Sequence, residues 1–552
     1  MIAAKLYMLP VVKSAERDDP ELFEGAVSHR WARAMEWYVP SLLALLFFGL
    51  ALYGVNRTEV IDTDAARHAM NGAFIWDLVR TGNLLHPIEY GKLYYTRLPS
   101  LSIPFHPPLF PAIESIFFAL FGVHLLTARL AVAVCVGLSA ILLYRLVLAT
   151  FSRPMMAAAV TVSTLSLWTF QFVARDVMLE FPSLVFALAA LYCLRDIREA
   201  YPMRRAIPFA IFASAALWTK QHTVFLGAVP FFEAALARRW RRFLEWPIWV
   251  SSALYGVAVV GIVWFSRLFH GTGIDQISTS GDDVYYKFHR TLPHYFNWIR
   301  RDLWGMPGAL LICAVAVYLW SKGWRDGKRL YLGLYAAWTL AVVAVLFELG
   351  PASPRYMFYV MPSVTAMTFA VLFDGCRRLW GERNAGIVVA VFAIGFFAAG
   401  LTIPFDFVRG PGAAARVVVE GKHTRVLYAG DADGNFVFGI RELDPDRKVS
   451  VIPAVKLPRK MLETATAAQL CRWFGIEWVV LENTPADRPW SGLKETLPVS
   501  FTLERSIPLE SSRNRWKAGT IDVYRFGGDS QHPDRQLQFP VPKLNEDLPV
   551  KH

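Results

Sequence analysis

Long apolar runs separated by short basic stretches fill most of the chain up to residue 404. About 20 apolar residues span a bilayer core. Runs near this length lie at roughly 37–54, 108–123, 127–149, 155–173, 178–194, 206–222, 223–237, 247–268, 306–320, 329–349, 356–373 and 384–404. The pattern predicts a polytopic α-helical membrane protein with about 11–13 transmembrane helices. Basic stretches flank 206–222 and 223–237 on both sides, which predicts a tight hairpin turning near "TKQHT". Arg195, Arg198, Arg204 and Arg205, then Arg238, Arg239, Arg241 and Arg242, then Arg377, Arg378 and Arg383 mark cytoplasmic loops. With residues 1–36 inside, residues 55–107 become a first external loop. Counting back from the 195–205 loop places residues 174–180 outside as well, although three apolar segments lie between. Either one of the three is a partial or re-entrant helix, or the run from Leu109 to Val173 divides differently.

After the transmembrane part, 37–404, the period changes. "TRVLYAG", "KVSVIP", "IEWVVLEN" and "IDVYRF" read as strands, and "TAAQLCRWFG" as a helix ending at Gly475. A small external α/β domain is expected over residues 405–527. The polar, Pro-rich segment 528–552 is expected to be disordered. No inverted internal repeat of the transporter kind is visible.

Composition agrees. The 552 residues are 55% hydrophobic and 18% charged, against about 25% charged for soluble domains. The 19 Trp, 20 Tyr and 39 Phe suit interfacial belts. The formal charge of +12 sits at the ends of apolar runs, so topology and anionic head groups account for it and no nucleic-acid partner is expected. Five cysteines form neither a disulfide frame nor a CxxC pair. The first apolar run is expected to stay as an anchor, with no cleaved signal.

The chemistry converges on one face. The first external loop carries Asp62, Asp64, Arg67, His68, Asp77, Arg80, His86, Glu89, Lys92, Arg97 and His106. Asp62 or Asp64 can cap the following helix. Either can also accept a proton from an attacking hydroxyl, and spacing alone does not choose between them. In "ARDVMLEFPSLVF", Asp176 and Glu180 stand one helical turn apart at the mouth of a span, where an acid is a functional candidate. Lys220 and His222 lie in the apolar hairpin, and Arg355 and Tyr356 follow a Pro-rich turn. Cations at that depth suit a phosphate, or snorkel to the interface.

Six ordered motifs carry a resemblance. They are "DAARHA" at Asp64–Ala69, "HPPLF" at His106–Phe110, "FGVHLLTARL" at Phe121–Leu130, "MLEFPS" at Met178–Ser183, "TKQ" at Thr219–Gln221 and "PRYMFYVMP" at Pro354–Pro362. In order and placement the set resembles the C-class, polyprenyl-phosphate-dependent glycosyltransferases, a family that includes protein O-mannosyltransferases and the aminoarabinose transferase of lipid A. The resemblance assigns the catalytic base to Asp64, with Glu180 as a second catalytic residue. It places Lys220 and Arg355, with Arg97 and His106, at the donor phosphate. Asp62, Arg67, Asp176, His222 and Tyr356 join them as candidate substrate-binding residues, with Asp62 also the cap of the following helix. The chain departs from the family pattern at Ala65 in place of Glu, Glu180 in place of Asp, Gln221 in place of Gly and His106 in place of Lys. The missing second acid at Ala65 weakens a metal role, so no cofactor is expected.

The implied reaction moves a sugar from a polyprenyl-phosphate donor to a lipid, glycan or protein acceptor at the outer face of the membrane, with inversion. The expected setting is a bacterial inner membrane. A flippase or transporter is the rival from another class, and an O-antigen ligase or polymerase the nearer one. A receptor or scaffold role for the C-terminal domain is a third reading. "GDADGNFVFG" lacks the spacing of a nucleotide fingerprint and reads as a turn, which leaves that domain acceptor recognition.

Overall fold

The structure, a computed structural model, describes residues 25–61, 63–195, 201–237, 239–269, 289, 292–302, 333–348, 353–422, 424–483, 488, 490–497, 500–512, 519–530, 535, 537–541 and 546–549. Apolar runs become helices α1 (Gly25–Leu52), α2 (Thr63–Arg80), α3 (Pro87–Arg97), α4 (Leu109–Phe121), α5 (Leu125–Phe151), α6 (Pro154–Leu165) and α7 (Trp168–Ala174). They continue with α8 (Glu180–Cys193), α9 (Met203–Thr219), α10 (Val229–Leu236), α11 (Trp246–Arg267), α12 (Leu292–Asp302), α13 (Gly333–Glu348) and α14 (Met361–Leu401). Among the described residues, four helices are long and apolar enough to cross a membrane, or five if the bent pair α6–α7 is one span. The expected span 306–320 lies outside the described residues.

The three segments between 108 and 175 are unequal. At 1.5 Å per residue, the 13 residues of α4 reach about 20 Å, short of the roughly 30 Å hydrocarbon core. Helices α6 and α7 meet at 68°. The segment therefore contains one short helix and one broken one, and either of them, as a partial crossing, gives the even count that the basic loops require. The runs 356–373 and 384–404 merge into α14, broken at Gly381, whose φ of 82° suits glycine. In the hairpin, α9 stops at Lys220, a 3₁₀ turn covers Gln221–Gly227, and α10 returns. The return is tied at its far end, where Tyr201 N donates to Glu245 Oε2 at 2.8 Å.

The C-terminal domain is α/β, as the alternation predicts, but larger. It holds β1 (Val408–Arg409), α15 (Pro411–Glu420), β2 (Arg425–Ala429), α16 (Asp433–Leu443), β3 (Ser450–Pro453), α17 (Arg459–Thr464) and α18 (Ala467–Phe474). Strands β4 (Trp478–Asn483), β5 (Phe501–Ser511) and β6 (Gly519–Phe526) complete its sheet, in the order β1-β5-β6-β4-β2-β3. Strands β3, β2 and β4 run parallel, and the other pairings are antiparallel. Helix α18 is bounded by a Thr466/Gln469 capping box and by Gly475 in the left-handed region. Two readings need correction. "GDADGNFVFG" is the start of α16 and not a plain turn, because Phe436, Val437 and Ile440 find a core to bury against. The tail expected to be disordered contains a two-stranded ladder, β7 (Gln538–Val541) against β8 (Glu546–Pro549), with Phe539 and Leu548 buried.

Helix α2 joins the two parts. Ala65, Ala66, Ala69 and Ala73 are fully buried, and Gly72 lets α4 approach so closely that a Cβ there would meet Glu114 Oε2 at 2.2 Å. At its far end, Asp77 accepts two hydrogen bonds from Arg441 of α16, Nε at 2.8 Å and Nη2 at 2.7 Å, with both side chains buried. Tyr94 OH adds a third at 3.2 Å. At the near end, Glu59 accepts from Gly410 N and Gly412 N, each at 2.9 Å, at the start of α15. Burial pushes the Glu59 carboxyl up to about 7 despite those two donors.

Two expectations follow from this junction. Asp77→Asn leaves Arg441 charged and buried without its counter-ion, a loss on the order of 3–5 kcal/mol. The unfolding midpoint should drop and proteolysis between the two parts should accelerate; wild-type values for both would show that the pair does not hold the domain. For Glu59, the folded carboxyl keeps its proton while the unfolded one ionises. Stability is therefore highest at low pH and is lost as pH rises through about 7. Midpoints measured from pH 5 to 8 should fall for the wild type and stay level for Glu59→Gln.

Candidate active site

Between α2, the loop 99–108, the turn after α9 and the C-terminal domain lies a cavity of about 520 Å³. Asp64, in the first turn of α2, benefits from the positive end of the helix dipole. Its Oδ2 accepts from Arg355 Nη2 at 2.9 Å, while Arg67, one turn along α2, approaches Oδ1 at 3.9 Å. Arg355 is presented by the 3₁₀ turn Pro354–Tyr359. Burial alone would raise the Asp64 carboxyl, but the His68 ring and the Arg355 guanidinium outweigh it and hold it well below the usual carboxylate range.

The helix end at Lys220 supplies the next wall. Its backbone is extended (φ −152°, ψ 125°), which ends α9 and turns the ammonium toward the cavity. Nζ donates to Glu180 Oε1 at 2.6 Å, and Glu180 is fully buried. Gln221 Nε2 donates to Phe105 O at 2.6 Å, and Gln221 Oε1 lies 3.4 Å from His106 Nδ1, fixing the "HPPL" loop against the hairpin. On the other side, Asn71 of α2 accepts from Ser102 N at 2.9 Å and from Ile103 N at 3.3 Å, and donates to Ser102 Oγ at 2.7 Å. The rings of His68 and His106 lie 5.0 Å apart. Burial lowers both: His68 falls to about 3 and His106 well below its ordinary value, so both are neutral at physiological pH.

Of the residues assigned from sequence, the structure brings Asp64, Arg67, His106, Lys220, His222, Arg355 and Tyr356 to this cavity. The His222 and Tyr356 rings pack together at 4.7 Å. Three others are placed differently. Glu180 is not in the lining; it sits beneath Lys220 and positions it. Asp176 accepts from Ile61 N at 3.1 Å and lies 4.0 Å from Arg129, so it holds the strand of chain that leads into α2. It is also not one turn of a continuous helix from Glu180, since α8 begins only at Glu180. Arg97 donates to Arg447 O at 3.1 Å on the exposed face of the C-terminal domain, where the end of α3 carries it away from Asp64. Asp62 lies outside the described residues.

Sequence reasoning named His68 and Gln221 but assigned neither a site role, and it gave none to Asn71, Tyr95, Asp433 or Lys456. Arg129, inside the "TARL" motif, also acquires a role here. It donates to Val55 O, Thr58 O and Glu59 O at 2.7–2.9 Å and fixes the segment ahead of Asp64. Among the described residues, no group of three or more His, Cys, Asp or Glu is placed to hold a metal ion.

This geometry has counterparts. A family model described as dolichyl-phosphate-mannose-protein mannosyltransferase matches residues 105–268. The apo structure of ArnT from Cupriavidus metallidurans superposes with a TM-score of 0.54 at 15% identity, covering 91% of this chain and 99% of that one. The chain shares the fold of that ArnT. The same ArnT bound to undecaprenyl phosphate gives a TM-score of 0.50 at 14% identity, over 90% of this chain and 98% of that one. No curated protein sequence matches the chain.

In this fold the "HPPL" loop depends on Asn71. Asn71→Ala strands the Ser102 and Ile103 amides in a buried setting, at about 1–3 kcal/mol. A lowered unfolding midpoint is expected; an unchanged one would show that the loop is held by Gln221 alone.

Proposed function

We propose that the protein transfers a sugar from a polyprenyl-phosphate-linked donor to a hydroxyl acceptor, with inversion. The observation that carries this reading is the cavity itself. One carboxylate, Asp64, is bracketed by two arginines, and a buried, carboxylate-positioned lysine stands on the membrane side. That is the arrangement a phosphate leaving group and a proton acceptor require.

In the proposed reaction the donor phosphate meets Lys220 and Arg355. Arginine pairs with phosphate oxygens in two-pronged fashion, so the phosphate draws Arg355 from Asp64 and leaves that carboxylate a stronger base. The acceptor oxygen attacks the anomeric carbon while its proton passes to Asp64. The bond from that carbon to the bridging oxygen breaks, and the electron pair leaves on the phosphate, stabilised by Lys220 and Arg355. Neutral His68 and His106 compete less for the phosphate than imidazolium ions would, and they line the space where water must be excluded. The reading assigns the cation role to these side chains and no role to a metal.

Orientation follows from charge. Helices α8 and α9 carry Glu180 and Lys220 at one end and Arg195, Arg204 and Arg205 at the other. By the positive-inside rule the site then faces outward, away from the cytoplasm. Together with the undecaprenyl phosphate in the ArnT structure, this supports a bacterial cytoplasmic membrane as the setting.

Asp64→Asn should abolish transfer from a labelled polyprenyl-phosphate sugar while undecaprenyl phosphate still binds. Because Asp64 is held below the usual range, its charge persists at pH 5, so the wild-type rate should not fall between pH 7 and 5. Full activity in the variant would remove the base assignment.

A further inference from the structure

The C-terminal domain reaches into the cavity with Asp433, the first residue of α16, and Lys456, which ends the turn after β3. Lys456 Nζ bonds the Tyr95 hydroxyl and donates to Pro99 O at 2.7 Å, and it stands 4.0 Å from the Tyr95 ring centre. Asp433 feels the charges of Arg67 and Lys456. The charged groups thus follow one another across the cavity: Lys220, Arg355, Asp64, Arg67, Asp433, Lys456. The donor chemistry uses the first three and leaves the far end without a task.

We propose that Asp433, Arg67, Tyr95 and Lys456 form the acceptor subsite, and that it takes a saccharide hydroxyl. The inference rests on the glycosyltransferase reading and deepens it. In an inverting displacement the nucleophile and the leaving group occupy opposite faces of the anomeric carbon. With the phosphate at Lys220 and Arg355, the acceptor must come to Asp64 from the Arg67 side, and that side ends in the C-terminal domain. A cavity of 520 Å³ lies within the usual 300–1,000 Å³ of small-ligand sites, which suits a donor sugar and the terminal ring of an acceptor.

The chemistry of the far end selects among acceptors. A carboxylate, a guanidinium and a phenol together accept from and donate to neighbouring hydroxyls, and all three line this end of the cavity. A phosphate acceptor would meet the Asp433 carboxylate. A peptide adding as a strand would find the nearby sheet edge β3 packed against α3.

The test uses the full chain in nanodiscs, with a panel of labelled undecaprenyl-phosphate sugars as donors. Three acceptors are offered: a lipid-anchored oligosaccharide, the same molecule carrying a terminal phosphate monoester with its hydroxyls blocked, and a Ser/Thr peptide. Label is expected on the oligosaccharide. Asp433→Asn should raise its KM about tenfold or more, the worth of a lost hydrogen bond to a charged group, with kcat changed less. Tyr95→Phe should shift KM in the same direction. Affinity for undecaprenyl phosphate and the unfolding midpoint should match the wild type. Unchanged KM in both variants, a parallel loss of undecaprenyl phosphate affinity, or label on the phosphate or peptide in place of the oligosaccharide would each overturn the subsite. If the wild type binds undecaprenyl phosphate yet labels no acceptor, the glycosyltransferase reading fails and the subsite fails with it.

Discussion

The pair between Asp77 and Arg441 sets the geometry of everything above the membrane. It joins the last turn of α2, whose first turn carries Asp64, to α16, whose first residue is Asp433. Two helices pinned at their far ends by a two-pronged bond hold their near ends in fixed relation. A buried ion pair of this kind contributes little net stability, because desolvation offsets most of the attraction. Its geometry is specific, however, and a shift of a single helical turn would leave two buried charges unmatched. The clamp therefore fixes the placement of the domain more than it strengthens it. Glu59 at α15 and Asn435, which donates to Val60 O at 2.8 Å, pin the same placement from the other side.

Within the cavity, charge is divided along the same line. The membrane side holds Lys220, kept in place by Glu180 and presented where α9 gives way to a 3₁₀ turn. The domain side holds a mixed group in which Asp433 balances Arg67 and Lys456. Asp64 sits between them with one arginine on each flank. A helix N-terminus, two cations and two neutral imidazoles all favour its ionised form or tolerate it, which is the electrostatic condition for a base that must not carry a proton before the substrate arrives.

Much of the membrane part was legible in the sequence. Apolar runs and basic loop ends place the spans, because bilayer thickness and charge asymmetry act on local sequence, while the resemblance carried by the ordered motifs picks out Asp64, His106, Lys220 and Arg355. Four strands of the C-terminal domain, β2, β3, β4 and β6, were legible as short apolar runs, whereas β1 and the 11-residue β5 were not. What stayed hidden depends on distance along the chain. Lys456 bonds to Tyr95 across 361 positions and Asp77 to Arg441 across 364, and no local pattern announces either. Arg97 and Asp176 show the converse error. Both lie near the right motifs in sequence, but the end of α3 turns Arg97 onto the domain surface, and Asp176 is consumed in holding the backbone at Ile61. The β7–β8 ladder escaped notice because its Pro-rich strands alternate only weakly.

The resting contact between Arg355 and Asp64 bears on a problem every enzyme of this reaction class must meet, the attack of water on an activated sugar. In the proposed reaction, the Arg355 guanidinium that bonds Asp64 holds the basicity of that carboxylate down. The donor phosphodiester, singly charged like the carboxylate, competes for that same guanidinium with its two unesterified oxygens. Charge builds on it as the bond to the sugar breaks, so in this proposal Arg355 passes from base to leaving group as transfer proceeds. Basicity then rises only when a leaving group is in place, and the acceptor subsite on the Arg67 side decides which oxygen uses it. If a hydroxyl-bearing ring fills the space between Arg67, Tyr95 and Asp433, water is displaced from the one face open to in-line attack. On the proposed subsite, one set of domain contacts would both complete the recognition of the acceptor and close the cavity against the competing nucleophile.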